Sequence, residues 1–570
     1  MTDVDSGSRT TGSGPEPFPA GVRLEDPGLV RAWTRGATAA LRRERAAIDR
    51  VNVFPVADAD TGTNLYLTFS EGDRAVAGAP AEATGPQLLA TLARAALLGA
   101  RGNSGVILSE WLRGLAVAAR RGAGPADLLT RAATSARAAV AQPADGTILT
   151  AADAAAAAAR AAERSLETGE GPGSVAAAGA LPVVTAAAAA ARTAARASRD
   201  ELDALRAAGV LDAGALGLVL VLDALVVATA GAEPGAEPGA EPGGVSVVDG
   251  SMDAVNLDQL LDAGALPPVT DVSDVWPHGA EGGTGGLELM FVLTAPASAA
   301  SETVAAGLRA ALGEVGDSVV VVGGDAGTGT AVWQAHVHTD HLDQALTIAA
   351  EAAREGSLAQ VHVRHLEAVH QHEWGVVAAT SAPGLAAELA HAGAVVLLTG
   401  GLGSTVEPLA ADDVGRAAAS TGARRVLLLG ASDAGVGGAA ELGVDEVVAV
   451  PAPTDLHAVV ALAALGTLLP IGLPDGSGAA PAVDARAAVD DALAALTVVE
   501  TQGAAALDAL RDAAGPGTTL ATALLDADVP DDLPDRLAAV LAERAPEAEL
   551  VVLATGRPGD GVHLGTEEDA

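Results

Sequence analysis

The residues best equipped for chemistry lie between Asn52 and Asn64, in the stretch NVFPVADADTGTN. Asp58 and Asp60 stand two apart in a segment that Pro55 keeps out of a helix, and Thr61, Gly62, Thr63 and Asn64 follow at once. Hard divalent cations take oxygen ligands, and a D-x-D pair supplies two anionic ones. A glycine between hydroxyls lets backbone N–H groups approach phosphate oxygens. The stretch reads as a magnesium-phosphate site, and equally as a polar interhelical loop with a capping aspartate. A second loop, ARGNSGVIL from Ala100 to Leu108, ends one helical run and opens another, where exposed amides with Asn103 and Ser104 form an anion site without lysine. A third, LDAGALGL from Leu211 to Leu218, puts an aspartate and two glycines ahead of a buried helix; in isolation a turn with an N-cap is the simpler reading.

Far along the chain, His336 and His338 alternate in TAVWQAHVHT, which puts both imidazoles on one face of a strand. A two-histidine metal site is sterically reasonable there, and packed histidines without a metal are equally so. His341, His362 and His365 read as solvated or packed.

Composition narrows the chemistry. The chain has 570 residues, no cysteine and a formal charge of −40, and all 33 basic residues are arginines. Disulfides, thiolate metal clusters and cysteine nucleophiles are excluded, as are lysine-dependent P-loops, kinase-strand lysines and Schiff bases. The charge argues against nucleic acid and against acidic membrane surfaces. The first histidine is His278, so nothing in the N-terminal half can use one as base or ligand.

These residues must be held by several domains. Residues 1–24, rich in Ser, Thr, Gly and Pro without the profile of a signal peptide, are expected to be a disordered tail on a cytoplasmic protein. Ala/Leu/Arg runs across residues 25–231 predict an all-helical domain. The apolar run from Ala213 contains Asp223 and follows Asp212. A carboxylate in mid-bilayer costs about 2.5–3.5 kcal/mol on insertion scales, so a buried core helix is expected and no transmembrane span. AEPGAEPGAEPGG, residues 232–244, reads as a linker. Residues 245–373 mix strand and helix patterns, a small α/β middle domain. Residues 374–570 alternate Val/Leu strands with Ala-rich helices, which predicts a C-terminal α/β domain with a parallel sheet.

Taken with GTILT at Gly146 to Thr150, the three loops resemble the nucleotide-binding domain of the dihydroxyacetone kinase L-subunit family. The resemblance is closer to its bacterial three-domain relative, the fatty acid kinase ATP-binding subunit. The hallmark N-V-F-P-V-P-D-G-D-T-G-T-N is intact here except for Ala57 and Ala59. A-R-G-N-S-G-V-I-L-S stands at Ala100 to Ser109, and D-A-G-A-L-G-L replaces the usual D-S/A-G-G-Q-G-L, leaving Leu216 as a departure. GDSVVVVGG (Gly316 to Gly324), the H-V-H-T element and a C-terminal α/β region follow in the family's order.

The resemblance implies a helical barrel that holds ATP at one end, with two magnesium ions bridging its phosphates to Asp58 and Asp60, the catalytic carboxylates. Asn52 stands near the third acidic ligand of the dihydroxyacetone enzymes. Thr61, Gly62, Thr63, Asn64, Asn103, Ser104, Gly105, Thr147, Asp212 and Gly214 would line the nucleotide. In the middle domain the resemblance adds Glu288 to His336 and His338 as the ligands of a structural zinc. At Gly400 to Pro408, GGLGSTVEP stands where relatives show a longer segment, so the C-terminal domain is expected to be a scaffold or docking module, with a homodimer interface as a further expectation.

The activity implied is an ATP- and magnesium-dependent kinase subunit that phosphorylates a fatty acid carboxylate presented by a separate fatty-acid-binding protein, giving acyl phosphate and ADP. An ionised carboxylate needs no general base, so the missing histidines are no objection. The alternatives are a kinase acting on dihydroxyacetone or another small hydroxylated metabolite, and a non-catalytic nucleotide-binding scaffold.

Overall fold

The computed structural model describes residues 24, 26–168, 179–231, 286–297, 301–325, 329–366, 374–431, 444–466 and 485–568. The expected tail up to residue 23, the linker and residues 245–285 of the expected middle domain lie outside the described residues.

Residues 26–231 are helical. Eight long helices, α1 (Pro27–Arg50), α2 (Thr61–Gly78), α3 (Gly85–Leu98), α4 (Gly102–Ala119), α5 (Pro125–Ala139), α6 (Ile148–Thr168), α7 (Leu181–Glu201) and α9 (Ala213–Gly231), are joined by a one-and-a-half-turn α8 (Asp203–Ala208) before the last. Each long helix packs on the next, and α9 returns to pack on α1, closing a ring. Alanine makes this possible: Ala151, Ala155, Ala159 on α6 and Ala187, Ala191, Ala195 on α7 are buried at helical spacing, and small side chains let axes approach. Neighbours joined by short connections run in opposite directions, so α2, α4, α6 and α9 all begin at one end of the ring.

Among the described residues α9 alone is long and apolar enough to cross a membrane. It is enclosed instead by α1, α2, α6 and α7. Trp33 Nε1 on α1 donates to the Val221 carbonyl at 2.9 Å, and Arg192 on α7 pairs with Asp223. That partner is why a carboxylate is tolerated in so apolar a helix.

The remainder is α/β, built on two sheets. The larger has eight strands in the order β2-β3-β1-β4-β6-β5-β7-β8: β1 (Leu287–Pro296), β2 (Asp317–Asp325), β3 (Thr330–Thr339), β4 (Ser357–His365), β5 (Trp374–Thr380), β6 (Ala394–Leu398), β7 (Arg425–Leu429) and β8 (Glu446–Val450). β1 to β4 pair antiparallel, and β5 to β8 pair parallel. The two halves join where β4 meets β6 antiparallel through His362↔Leu397 and Val363↔Val396. The expected boundary between residues 373 and 374 thus falls between strands of one sheet. The smaller sheet, β11-β10-β12-β9, comprises β9 (Leu496–Gln502), β10 (Thr518–Leu525), β11 (Glu549–Ala554) and β12 (Gly561–Glu568). Only its β10–β11 pair is parallel, and it packs its own core around Leu537, Leu541 and Val562. A single parallel sheet for residues 374–570 is therefore not what the chain forms.

Alternation along β1 divides the larger sheet's two faces. Leu287, Leu289, Phe291 and Leu293 enter a core with Leu308 and Leu346 from the helices Ser301–Gly313 and Leu342–Ala352. On the opposite face Met290, Val320 and Val322 pack against Leu97, Ala100, Val106 and Ala139 of the helical ring. Ala141 N donates to Val319 O at 3.1 Å, and Gln334 Nε2 to Ala100 O at 3.1 Å. The sheet is pressed against the end of the ring where α4 begins.

Candidate functional site

At that end the loop between α1 and α2 carries the paired carboxylates. Asn52 Nδ2 donates to Asp58 Oδ1 at 2.6 Å, which fixes one side of the loop. Between the aspartates, Ala59 has φ +53°, a left-handed conformation in which a Cβ is strained. The helix that follows is held by Asp49, whose carboxylate accepts from Thr63 N at 2.9 Å and Thr63 Oγ1 at 2.8 Å. Burial pushes Asp49 up to about 6. The Thr63 amide, expected to meet phosphate, is here engaged by Asp49, a residue the sequence reading passed over. Gly62 is needed for packing as well: a Cβ there would lie 2.2 Å from the Arg45 carbonyl oxygen.

The second loop is seated on the first. Gly102 has φ +53°, and a Cβ on it would meet Asn64 Nδ2 at 2.3 Å. A Cβ on Gly105 would lie 2.2 Å from Thr68 Oγ1, and Arg101 N donates to that same oxygen at 3.1 Å. Asn64, Asn103, Ser104 and Gly105 are thereby brought together, and Asn103 Oδ1 is buried without a hydrogen-bond partner. Arg101 is buried too, with its Nε unpartnered, and burial beside Arg416 pushes its guanidinium down to about 9. It is a second residue that the sequence reading missed.

The third and fourth loops meet each other. Asp212 Oδ1 accepts from Ala215 N at 2.7 Å, capping α9, and the carboxyl also accepts from the Ile148 amide at the start of α6. Burial raises Asp212 to about 7. Gly214 lets Ile148 approach, since a Cβ on it would lie 3.1 Å from Ile148 Cβ. Thr147 Oγ1 donates to Ala144 O at 2.9 Å. Asp212, Gly214 and Thr147 are thus gathered, with Asp212 joining two helix starts.

Facing the aspartates is the polar part of the sheet. Register places Glu288 opposite His338 on β3 and opposite Arg364 on β4, with His336 and His362 flanking Met290. His336 Nδ1 is 3.8 Å, and His338 Nε2 4.0 Å, from Glu288 Oε2; His362 Nε2 is 3.7 Å from Oε1. Arg364 grips Glu288 with both arms of its fork, Nε to Oε1 and Nη2 to Oε2, each at 2.9 Å. The same Nη2 reaches across to Asp60 Oδ2 at 2.5 Å and Asp58 Oδ2 at 3.4 Å. Burial alone would raise Glu288, but Arg364, His336 and His362 hold it well below the usual carboxylate range. Burial, reinforced by the charge of Asp60, raises Asp58 well above it. His362, expected to be merely packed or solvated, belongs to this cluster, and Arg364 is its centre.

Two groups of side chains have the chemistry of metal ligands. Asp58 and Asp60 are hard oxygen donors suited to magnesium, with Asn52 as a neutral neighbour. Glu288, His336 and His338 offer ligand atoms that all lie within 4.8 Å of one another. Burial pushes His336 down to about 4 and His338 to about 3, which keeps both imidazoles neutral, the form that binds metal. Both ring nitrogens of His336 are buried without a hydrogen-bond partner. A buried imidazole with two unsatisfied nitrogens is costly, and a cation would satisfy one of them.

Two segments of the chain match known protein families. Residues 55–227 match the DAK2 domain family, and residues 285–373 match the FakA-like middle-domain family of fatty acid kinase. The chain is similar to two domain families, one of them described from fatty acid kinase. More particularly, it joins a DAK2 domain to a FakA-like middle domain. Protein YloV of Bacillus subtilis (strain 168) is 30% identical over 196 residues, 34% of this chain and 33% of that protein. An uncharacterized protein of Staphylococcus saprophyticus is 39% identical over 110 residues, 18% of this chain and 20% of that protein. The matches thus span a third or less of these relatives' length. The dihydroxyacetone kinase from C. freundii, solved in complex with AMP-PNP and Mg2+, is 19% identical, with 40% of this chain and 38% of that chain covered. The TM-score of that match is 0.28.

Proposed function

We propose that the chain is an ATP- and magnesium-dependent kinase subunit of the cytoplasm that transfers the γ-phosphoryl group to a fatty acid carboxylate presented by a separate acyl-binding protein. The observation that carries the reading is the placement of Asp58 and Asp60. They stand at the ring end where α2, α4, α6 and α9 begin, opposite a polar sheet face that belongs to the FakA-like middle domain.

Asp58 and Asp60, with Asn52 beside them, would hold two magnesium ions; Thr61 to Asn64, Asn103 to Gly105, Thr147, Asp212 and Gly214 would line the nucleotide. Bound magnesium would neutralise phosphate charge and align the β and γ groups. One carboxylate oxygen of the acceptor attacks the γ-phosphorus, the bond to the β–γ bridging oxygen breaks, and ADP leaves with the electron pair. No proton moves, which suits a helical domain without histidine. Glu288, His336 and His338 would hold a structural zinc, to be sought by elemental analysis of chelator-free protein and lost in His336→Ala. The C-terminal region is assigned to docking and to a homodimer contact.

Turnover tests the reading. ADP should form from ATP only when an acyl-binding partner loaded with fatty acid is supplied, with acyl phosphate in equal amount. Phosphorylation of free dihydroxyacetone without any partner would point to the small-metabolite kinase, and nucleotide binding without transfer to any acceptor would point to the scaffold.

A further inference from the structure

We propose that Arg364 is an internal counter-cation for the metal-ligand loop, displaced when divalent metal arrives and then available as the sheet's cationic contact to the nucleotide's phosphates. The proposal rests on the reading of Asp58 and Asp60 as metal ligands.

Three acidic side chains converge on this one guanidinium. Glu288 is 2% exposed, Arg364 7%, Asp58 8% and Asp60 13%. Carboxylates so far withdrawn from water require a counter-charge, and a buried ion that loses its partner is strongly destabilising. Arg364 is fixed at its base and directed at its tip. Glu288, its register partner on the adjacent strand, takes Nε and one side of Nη2. The other side of Nη2 spans from β4 to the loop between α1 and α2, across 304 residues of sequence to Asp60 and 306 to Asp58.

Asp60 Oδ2 therefore already has a cationic partner at 2.5 Å. Magnesium binds carboxylate oxygens at about 2.0–2.1 Å with strict octahedral geometry. A metal on that oxygen meets the positive charge of the guanidinium at the same atom, and the two cations compete for it. Arg364 can yield without being lost, because Glu288 retains its Nε arm. A planar fork suits phosphate oxygens, and the chain has no lysine to serve that purpose. Metal loading and docking of the sheet are in this way linked through one side chain.

The test is Mn2+ binding to the intact protein, followed by electron paramagnetic resonance with and without ATP, with Asp58→Asn/Asp60→Asn defining the background. Without nucleotide, Arg364→Gln should bind Mn2+ roughly tenfold more tightly, the penalty a competitor imposes when it occupies the ligands nine-tenths of the time. With ATP the sign should reverse: Arg364→Gln should bind Mn-ATP roughly tenfold more weakly, about the worth of one charge-assisted hydrogen bond. Glu288→Gln/Arg364→Gln, which keeps the buried charge balanced, should show the same gain for the metal alone, with the fold of both variants confirmed by circular dichroism. Metal affinity at or below wild type in both folded variants overturns the counter-cation, and undiminished Mn-ATP binding overturns the phosphate contact. Mn2+ at background in wild type and variants alike, with and without ATP, overturns the metal reading beneath the proposal, and the proposal with it.

Discussion

Ala59 shows how much a single position between two buried aspartates matters. The hallmark that this loop resembles has glycine there, and the backbone still adopts the glycine conformation, φ +53°. An L-residue in that region costs about 1–2 kcal/mol, part of which glycine's greater freedom in the unfolded chain offsets. Ala59→Gly should stabilise the protein by up to about 1 kcal/mol, read as a higher urea midpoint, and a lower midpoint would contradict the strain. The D-x-D-T-G-T-N spacing was legible as a candidate ligand set because its members are adjacent in sequence. Asp49 was not, since its role is to hold Thr63 fourteen residues on. Arg364 was less so, for Glu288 lies 76 residues away and Asp60 and Asp58 304 and 306, and an arginine in a strand announces nothing about what it touches.

Among the elements, the start of α9 depends on Asp212, and its behaviour with pH follows. Its carboxyl is raised by burial from an ordinary 3.8 to about 7. Between these values the folded state keeps a proton that the unfolded chain releases, so the group's contribution falls as pH rises through that window. Wild type should therefore lose stability relative to Asp212→Asn between about pH 4 and pH 7; denaturation midpoints that stay parallel across the window would contradict this. Elements were the most readable level of the sequence. Alanine-rich periodicity gave the helices, and α9 was expected to be a buried core helix, which its enclosure by four neighbours explains. The joining of β4 to β6 was hidden, because two residue pairs of apolar strand carry no signal that tells a sheet's edge from its middle. The second sheet was hidden for a related reason: its parallel pair, β10 and β11, has the same Val/Leu/Ala character as β5 to β8, and which sheet a strand joins is not written in composition.

For the whole molecule, the arrangement sets a helical ring against a sheet, with Asp58 and Asp60 on one side and Glu288, three histidines and Arg364 on the other. The central claim is that this junction is a divalent-metal and nucleotide site. Calorimetric titration of Mg-ATP into the intact protein tests it most directly, alongside Asp58→Asn/Asp60→Asn of confirmed fold. Binding that requires magnesium and disappears in the double variant is the predicted result. Folded wild type that takes up no Mg-ATP, or a double variant that binds it equally well, would contradict the account.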